Sequence, residues 1–471
     1  MSSQNATSSK ENRYLVDLRE GKPLSLSHQI QLVISLSIPA ILAQVSSVVM
    51  QYIDASMVGT LGANASASIG LMSSSLWMIW GITSGGIAGF AVQVAHRIGA
   101  RDEAGARSVV RHGLMTMVAV ALCIALLCFA LSGPWPVWLG GNPDIVPGAR
   151  TYIRIYILFF PVSILRMLSG SMLQNSGNMK VPSTLNIIMC GLDVVFNYLL
   201  IFPSGTREIF GQKIWIPGAG LGVAGAALGT VLAEAVCACF MLYFLNRRFR
   251  LLHYDGPRGK DRYLDEVERA LKIGVPLSIE QMITGGAYVM FTRIVAPLGT
   301  IPIAANSFST TAESLCYMPG YGISMAATTL VGQSTGAGRE DMTKRLGWLT
   351  VAMGVLIMTG MSVLMFFGAP WLIGFLTPDP AIRDLGVRVL RIEAFAEPLF
   401  AASIIVTGVF RGAGKTLIPS ILNFLSMWLV RIPLAAFLAT RFGLPGVWSA
   451  MCAELCVRGI LFLMWMRKEY R

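Results

Sequence analysis

Charged residues are scarce in this chain of 471 residues, because Asp, Glu, Lys and Arg together make up only 13%. A soluble globular domain carries about 25%, so the deficit argues against a soluble protein. Hydrophobic residues account for 54% and form runs long enough to cross the hydrocarbon core of a bilayer, which is roughly 30 Å thick. The composition therefore predicts an integral membrane protein.

The sequence also lacks the patterns of metal sites, disulfide frameworks and nucleotide sites. Its four histidines form no H-E-x-x-H motif, and its eight cysteines lie in apolar runs without the spacing of zinc ligands. Gly414-Lys415-Thr416 resembles the end of a P-loop, but Val409 replaces the first glycine of that motif. Because the intramembrane polar residues show no nucleophile–base pattern either, we expect neither a cofactor nor enzymatic activity.

The first 27 residues contain no apolar segment. We therefore expect no cleavable signal peptide, and we predict a polar cytoplasmic tail with a short surface helix over residues 1–27.

Twelve apolar runs follow, each long enough for a transmembrane helix of about 20 residues. They span residues 30–54, 67–94, 112–133, 146–169, 183–203, 220–245, 270–296, 303–330, 346–368, 385–410, 416–440 and 445–466. Each half holds six runs, and because six is even, both halves enter the membrane from the same side. The pattern predicts an all-α membrane protein with twelve transmembrane helices in two pseudo-symmetric six-helix lobes.

The net charge of +12 is distributed unevenly. Lys and Arg cluster in alternate loops, at residues 10–22, 97–111, 247–272, 339–345 and 467–471. This asymmetry is typical of cytoplasmic loops and predicts that both termini are cytoplasmic. The basic surplus is thus an orientation signal rather than a sign of nucleic-acid binding, although attraction to anionic lipid can coexist with it.

The second half of the sequence repeats the first at a constant offset of 237 residues. Pro39 recurs as Pro276 and Pro161 as Pro398, and the dipeptide at Gly99 returns at Gly336. We predict an N-terminal lobe at 28–245, a cytoplasmic linker at 246–269 and a C-terminal lobe at 270–471. In a duplicated membrane transporter, the substrate site is usually between the two halves.

Asp54 is the most informative carboxylate, because a charge inside a membrane span costs about 2.5–3.5 kcal/mol on insertion scales. One interpretation places it at the outer interface, where it caps a turn; the other places it in a central cavity, where it exchanges a cation. Its repeat equivalent is Phe291, so the charge belongs to one lobe. Asp193 and Asn197 are four residues apart and share a helix face, with Asn186 two turns earlier.

The order and spacing of several short motifs resemble the multidrug and toxic compound extrusion (MATE) family. These are Pro39…Asp54…Gly59…Gly62, Gly99-Ala100 with its copy Gly336-Ala337, Asn186…Asp193…Asn197, and Phe410-Arg411-Gly412-Ala413-Gly414. The resemblance implies a V-shaped pair of lobes and export of cationic or amphiphilic compounds, driven by inward H⁺ or Na⁺ flow. It also implies ion coupling at Asp54, with Asn186, Asp193 and Asn197 as neighbours and Na⁺ as the one metal ion that Asp54 could bind.

Two positions depart from the family pattern. Lys415 stands where the family usually has Asp, and Thr284 stands where some members carry a buried Glu. The C-terminal lobe therefore does not match the family's pattern for a second cation site, and we favour coupling in the N-terminal lobe and H⁺ over Na⁺.

The candidate cavity residues combine polar groups with soft or aromatic side chains suited to flat hydrophobic cations. They are Gln44, Met50, Trp77, Glu280, Gln281, Tyr288, Tyr317 and Glu397. We expect an antiporter of the cell (inner) membrane that functions as a monomer. The alternatives are a lipid-linked saccharide flippase of the same superfamily and a major-facilitator-type carrier.

Overall fold

A computed structural model describes residues 10–209, 212–248 and 262–470 of the chain. The described part is almost entirely helical, in keeping with the apolar runs. The predicted surface helix in the N-terminal tail is present as α1, Lys10–Arg19.

The first half contains six long helices, one short helix and a hairpin after α1. They are α2 Leu26–Gly59, α3 Ala63–Gly99, α4 Glu103–Leu131, α5 Trp135–Trp138, α6 Val146–Asn175, α7 Lys180–Ile201, β1 Pro203–Ile209, β2 Gln212–Ala219 and α8 Val223–Tyr243. A short π-helix, Phe244–Arg248, continues from α8.

The second half repeats this order without the hairpin. Its helices are α9 Tyr263–Val295, α10 Thr300–Gly336, α11 Glu340–Leu376, α12 Pro380–Ala394, α13 Glu397–Gly412, α14 Leu417–Leu425 and α15 Ile432–Glu469. A π-helical segment, Ser426–Arg431, joins α14 to α15. Because α9 begins at Tyr263, the end of the predicted linker is helical; residues 249–261 of that linker lie outside the described residues.

Eight helical stretches in the described residues are long and apolar enough to cross a membrane. They include α2, α4, α6, α7, α8 and α11, most of α3, and the continuous stretch Leu417–Glu469, which contains two predicted spans. The runs at 270–296, 303–330 and 385–410 are helical as well, although their helices are not among these eight. The protein is therefore a multi-pass membrane protein, and the count of twelve spans stays a prediction.

Equivalent turns mark the duplication in the backbone. Gly62 precedes α3 with φ 100°, and its repeat mate Gly299 precedes α10 with φ 108°. Only glycine adopts such angles without steric cost. The constant sequence offset therefore corresponds to a repeated backbone conformation.

One repeated pair of prolines, Pro161 and Pro398, occupies different positions in the two halves. Pro161 lies inside the continuous helix α6, whereas Pro398 occupies the first turn of α13 after a break at Phe395-Ala396. Proline fits the first turn of a helix because its missing N–H would be unpaired there anyway. The predicted single span 385–410 is thus two helices.

Two other features differ from the expectation of helices alone. An antiparallel hairpin, β1–β2, connects α7 to α8, with Thr206 opposite Trp215. In α15 the backbone turns sharply at Gly443, where φ is 60°, and this kink separates the runs predicted at 416–440 and 445–466.

Each half has its own hydrophobic core. In the first half, Phe90, Ile153, Leu168 and Met172 are among the buried residues of one cluster; in the second half, Trp448 belongs to another. The two cores give each lobe a packed interior of its own, which suits movement of the lobes as units.

One of the contacts between the lobes lies at the end that carries the described chain ends. A Cβ at Gly99 of α3 would overlap the carbonyl oxygen of Gln333 in α10, and a Cβ at Gly336 would overlap that of His96. The contact is reciprocal between repeat-equivalent glycines. His96 Nε2 also lies 2.7 Å from the carbonyl oxygen of Gly412, another contact between the lobes.

Candidate functional site

Asp54, Asp193 and Asn197 are brought together in the first lobe. Asn197 Nδ2 donates to Asp54 Oδ1 at 3.0 Å and to Asp193 Oδ2 at 3.1 Å. Asp54 lies on α2, about 8 Å from the end of the helix at Gly59, while the other two residues lie on α7. The amide therefore uses both of its N–H groups to hold two carboxylates from different helices.

The site is enclosed and has spare acceptors. Asp193 and Asn197 are each 1% exposed, and Asp54 is half-buried. Asp193 Oδ1 and Asn197 Oδ1 are buried without a described hydrogen-bond partner.

Helix α8 closes the site from the other side. A Cβ at Gly229 would overlap Asn197 Oδ1, so only glycine permits this approach. The hydroxyl of the next residue, Thr230, donates to the carbonyl oxygen of Ala226 at 3.2 Å, within α8. Sequence reasoning missed Gly229, although a glycine on a helix next to a polar helix is a usable signal.

Asn186 is on the same pair of helices but does not join the trio. Its Nδ2 donates to Ser47 Oγ at 2.9 Å and to the carbonyl oxygen of Ala43 at 3.4 Å. It therefore forms a second polar link between α2 and α7, two turns from Asp193.

A buried ion pair lies further along α8. Arg166 Nη2 is 2.9 Å from Glu234 Oε1, and the hydroxyl of Ser163 donates to Glu234 Oε2. Glu234 is 7% exposed. This pair neutralises its own charge, and Arg166 was missed from sequence although an arginine in the middle of an apolar helix is a visible anomaly.

The predicted cavity residues of α2 and α3 occupy different environments. Gln44 and Met50 are half-buried, and Met50 packs against the core of the first lobe. Trp77 is 70% exposed. Gln281 of α9 is exposed. A Cβ added at Gly81 in α3 would lie 3.1 Å from the Cβ of Gln281, so Gln281 is close to the first lobe.

Two of the predicted tyrosines belong to the second lobe. Tyr288 is 55% exposed. Tyr317 is half-buried, with ring centroids 5.8 Å from Tyr321 and 5.7 Å from Phe400. Phe400 in turn has the guanidinium carbon of Arg458 5.5 Å from its ring centroid.

The remaining acidic candidates lie in the second lobe. Glu280 accepts hydrogen bonds from Ser420 Oγ at 2.8 Å and from Asn423 Nδ2 at 2.5 Å. Glu397 is fully buried, so a substrate does not reach it in this conformation. Glu313 and Glu393 are buried in the same lobe.

Within the described residues, no group of three or more His, Cys, Asp or Glu side chains is arranged to hold a metal ion. The Asp54–Asn197–Asp193 site contributes two carboxylates and an amide. Its chemistry suits a proton or one weakly bound monovalent cation.

Comparison with known proteins places this geometry in a family. The MatE family model matches residues 39–199 and again 276–437, so each lobe carries one copy. A probable multidrug resistance protein NorM from Thermotoga maritima is 27% identical over 92% of this chain and 90% of its own length. A protein of the same name from Pseudomonas aeruginosa is 28% identical over 92% of this chain and 88% of its own length.

The fold agrees with this match. A crystal structure of a MATE protein in complex with MaL6 superposes with a TM-score of 0.87 at 20% identity, covering 97% of this chain and 98% of the other. The resemblance read from the short motifs is confirmed, and the major-facilitator alternative is wrong. The chain belongs to the MatE family of membrane transporters.

Proposed function

We propose that the protein is a secondary active antiporter that exports cationic or amphiphilic small molecules in exchange for inward H⁺ or Na⁺. The observation that carries this proposal is the buried link from Asp54 through Asn197 to Asp193. Relatives named as probable multidrug resistance proteins support the export of drug-like compounds.

The coupling step follows from the spare acceptors of the site. A buried carboxylate without a full set of hydrogen bonds is costly, and a bound proton or cation relieves that cost. Cation binding changes the hydrogen bonds between α2 and α7, and the change can drive transport only if the ion's affinity differs between the inward- and outward-facing states. Asp54 is therefore the coupling residue, with Asp193 and Asn197 as its partners and Asn186 as a second tie.

The preference for cations follows from the balance of buried charge. Three arginines whose side chains are largely buried inside the spans pair with acids: Arg166 with Glu234, and both Arg431 and Arg458 with Glu454. Six acids of the spans have no described ion pair with Lys or Arg: Asp54, Asp193, Glu280, Glu313, Glu393 and Glu397. An interior with surplus acid attracts cations and does not favour the anionic head of a lipid-linked saccharide.

The substrate site is proposed between the lobes at 28–245 and 270–471, at Gln44, Trp77, Gln281, Tyr288 and Tyr317. Aromatic and amide side chains bind flat cations through ring faces and hydrogen bonds. The positive-inside asymmetry supports a cytoplasmic position for both termini, with the protein in the inner membrane of the cell. In this proposal the protein functions as a monomer.

The test is efflux in proteoliposomes with the proton and sodium gradients imposed separately. Asp54→Asn keeps the shape of the side chain but removes the ionisable group, so gradient-driven export of a fluorescent cation should fall to the level of empty vesicles. Asp144→Asn, which changes an exposed acid of the same lobe, serves as the matched control. Undiminished gradient-driven export by Asp54→Asn would overturn the assignment.

The same assay separates the two ions. Export that follows an imposed pH gradient with sodium absent identifies H⁺ as the coupling ion. Export that requires sodium at constant pH identifies Na⁺. The two arms together also show whether either ion gradient can drive export.

A further inference from the structure

Arg391 of α12 is an exposed cation on the outer surface of the second lobe. Its guanidinium carbon lies 5.4 Å from the ring centroid of Phe366 in α11, and its Nε donates to the carbonyl oxygen of Phe366 at 3.3 Å. A guanidinium has five N–H donors, and the described hydrogen bond uses one of them. The position therefore has a large capacity to bind an anion.

Arg391 lies closer to the membrane centre than the exposed aromatic residues at the end of α11. Trp371 and Phe375 of the same helix α11 are 79% and 93% exposed, as expected for residues at a membrane interface. Phe366 lies about 8 Å from Trp371 along the helix axis, toward the membrane centre. Arg391 thus lies where the phosphate and glycerol groups of a lipid are within reach of a long side chain.

A groove adjoins the guanidinium. It has a volume of about 420 Å³ and is lined by Phe366, Arg391, Phe395, Ser449 and Cys452, with two aliphatic neighbours. Phe395 is 71% exposed, so the groove opens at the outer surface rather than toward the centre of the protein. Arg391 is the single charged residue among those that line it.

We propose that this groove binds one anionic phospholipid from the leaflet opposite the chain termini. The phosphate accepts hydrogen bonds from Arg391, in the two-point geometry that guanidinium groups make with phosphate. The upper part of an acyl chain lies against Phe366 and Phe395. The volume is within the roughly 300–1,000 Å³ typical of small-molecule sites, and an apolar groove with one cation matches an anionic amphiphile in both shape and charge.

The first lobe contains the same arginine–phenylalanine contact, but its arginine has a different hydrogen-bond partner. Arg154 and Phe129 are the repeat equivalents of Arg391 and Phe366, and the guanidinium carbon of Arg154 is 5.9 Å from that ring. However, Arg154 Nε donates to the hydroxyl of Ser132 at 3.0 Å, and the equivalent of Ser132 in the second lobe is Ala369. Arg154 therefore has a side-chain partner that Arg391 lacks, and it serves as a matched control.

The experiment measures lipid retention by native mass spectrometry of the full-length protein in detergent, titrated with phosphatidylglycerol or phosphatidylcholine. The wild type should hold one phosphatidylglycerol more tightly than phosphatidylcholine. Arg391→Gln should weaken that binding about tenfold, as expected for one lost charged hydrogen bond, whereas Arg154→Gln should leave it unchanged.

Two further variants keep the result interpretable. Ser449→Phe fills the groove while Arg391 remains, and it should also abolish the tight binding; Arg391→Lys should restore part of it, because lysine still offers a positive charge. Equal losses in Arg391→Gln and Arg154→Gln would show nonspecific attraction to basic residues and overturn the proposal. Equal retention of both lipids, or tight binding by Ser449→Phe, would overturn it as well.

Discussion

The side-chain oxygen of Gln333 accepts two hydrogen bonds from Arg19, from Nε at 3.1 Å and from Nη2 at 2.9 Å. Arg19 ends the tail helix α1, and Gln333 lies in the last turn of α10 in the second lobe. Nη2 also donates to the carbonyl oxygen of Ser176, in the first lobe, at 3.1 Å. One side chain of the tail thus joins both lobes at the end where they meet.

The rest of α1 supports this link. Leu15 and Leu18 are buried and belong to a cluster with Leu330 of α10 and Leu346 of α11. Burial lowers the pKa of Arg19 to about 10, so the side chain stays cationic at neutral pH. We infer that the tail helix stabilises the conformation in which the lobes touch at this end.

Replacement of Arg19 by Gln tests that role. The variant loses charged hydrogen bonds, each of which is worth roughly 1.5–3 kcal/mol. Backbone amides of α1 should therefore exchange with deuterium about tenfold faster or more, measured by mass spectrometry of the intact transporter. Arg13→Gln, which alters an exposed residue of the same helix, should leave the exchange rate unchanged. Equal exchange rates in all three proteins would contradict the role.

Gly229 provides a test of the ion site that leaves every polar group in place. A Cβ at this position would overlap Asn197 Oδ1, so Gly229→Ala must displace the amide that links Asp54 to Asp193. Overpacking of this kind costs about 1–3 kcal/mol. We expect gradient-driven export to fall at least tenfold in proteoliposomes while the helical circular dichroism is retained.

The control for this variant is on the neighbouring helix. Gly191 of α7 is exposed and has open space around a Cβ, so Gly191→Ala should transport as the wild type does. Normal coupling in Gly229→Ala would mean that the position of Asn197 does not matter for transport.

The sequence was sufficient to predict the six long helices of the first half, because helices such as α4 and α8 are apolar over many turns. It did not predict the hairpin β1–β2, since strands of seven and eight residues are much shorter than an apolar run of about 20 residues that crosses a membrane. Nor did it distinguish Pro161 from Pro398, because a proline in the first turn of a helix and one in its interior look alike in a hydropathy pattern.

The ion site could be predicted in part. Asp193 and Asn197 are four residues apart, and helical periodicity places them on one face. The contact of Asn197 with Asp54 spans 143 residues of sequence and depends on how α2 packs against α7. The close approach of Gly229 depends on the same packing, so periodicity alone does not indicate it.

Glu454 is the centre of a buried network in the second lobe. It lies 2.6 Å from Arg431 Nη2 and 3.2 Å from Arg458 Nε, and it accepts a hydrogen bond from Ser426. Arg458 is four residues from Glu454 on the same helix, whereas Arg431 comes from the π-helical segment before α15. Glu454→Gln would leave two buried arginines without an anion, and loss of one partner of a buried pair costs about 3–5 kcal/mol.

We therefore expect Glu454→Gln to lower the midpoint of thermal unfolding in detergent by several degrees. Glu268→Gln is the control: the carboxylate of Glu268 is exposed and pairs with Lys272, whose hydrogen bond lowers the pKa of Glu268. Because exposed pairs contribute little, this variant should unfold as the wild type does. A Glu454→Gln protein of unchanged stability would show that the arginines find other partners.

The reciprocal contact of Gly99 and Gly336 predicts how the lobes separate. Each glycine lies against a backbone carbonyl of the other lobe, and a backbone oxygen cannot move aside as a side chain can. Gly99→Ala should therefore shift the population toward conformations with the lobes apart at this end. Spin labels at positions 103 and 340, both exposed, should report a longer distance by double electron–electron resonance. The exposed Cys123 and Cys239 are first replaced by Ser.

The control is Gly360→Ala, at an exposed position with open space around a Cβ, which should give the wild-type distance. If Gly99→Ala also gave that distance, the glycine pair would not control how closely the lobes approach.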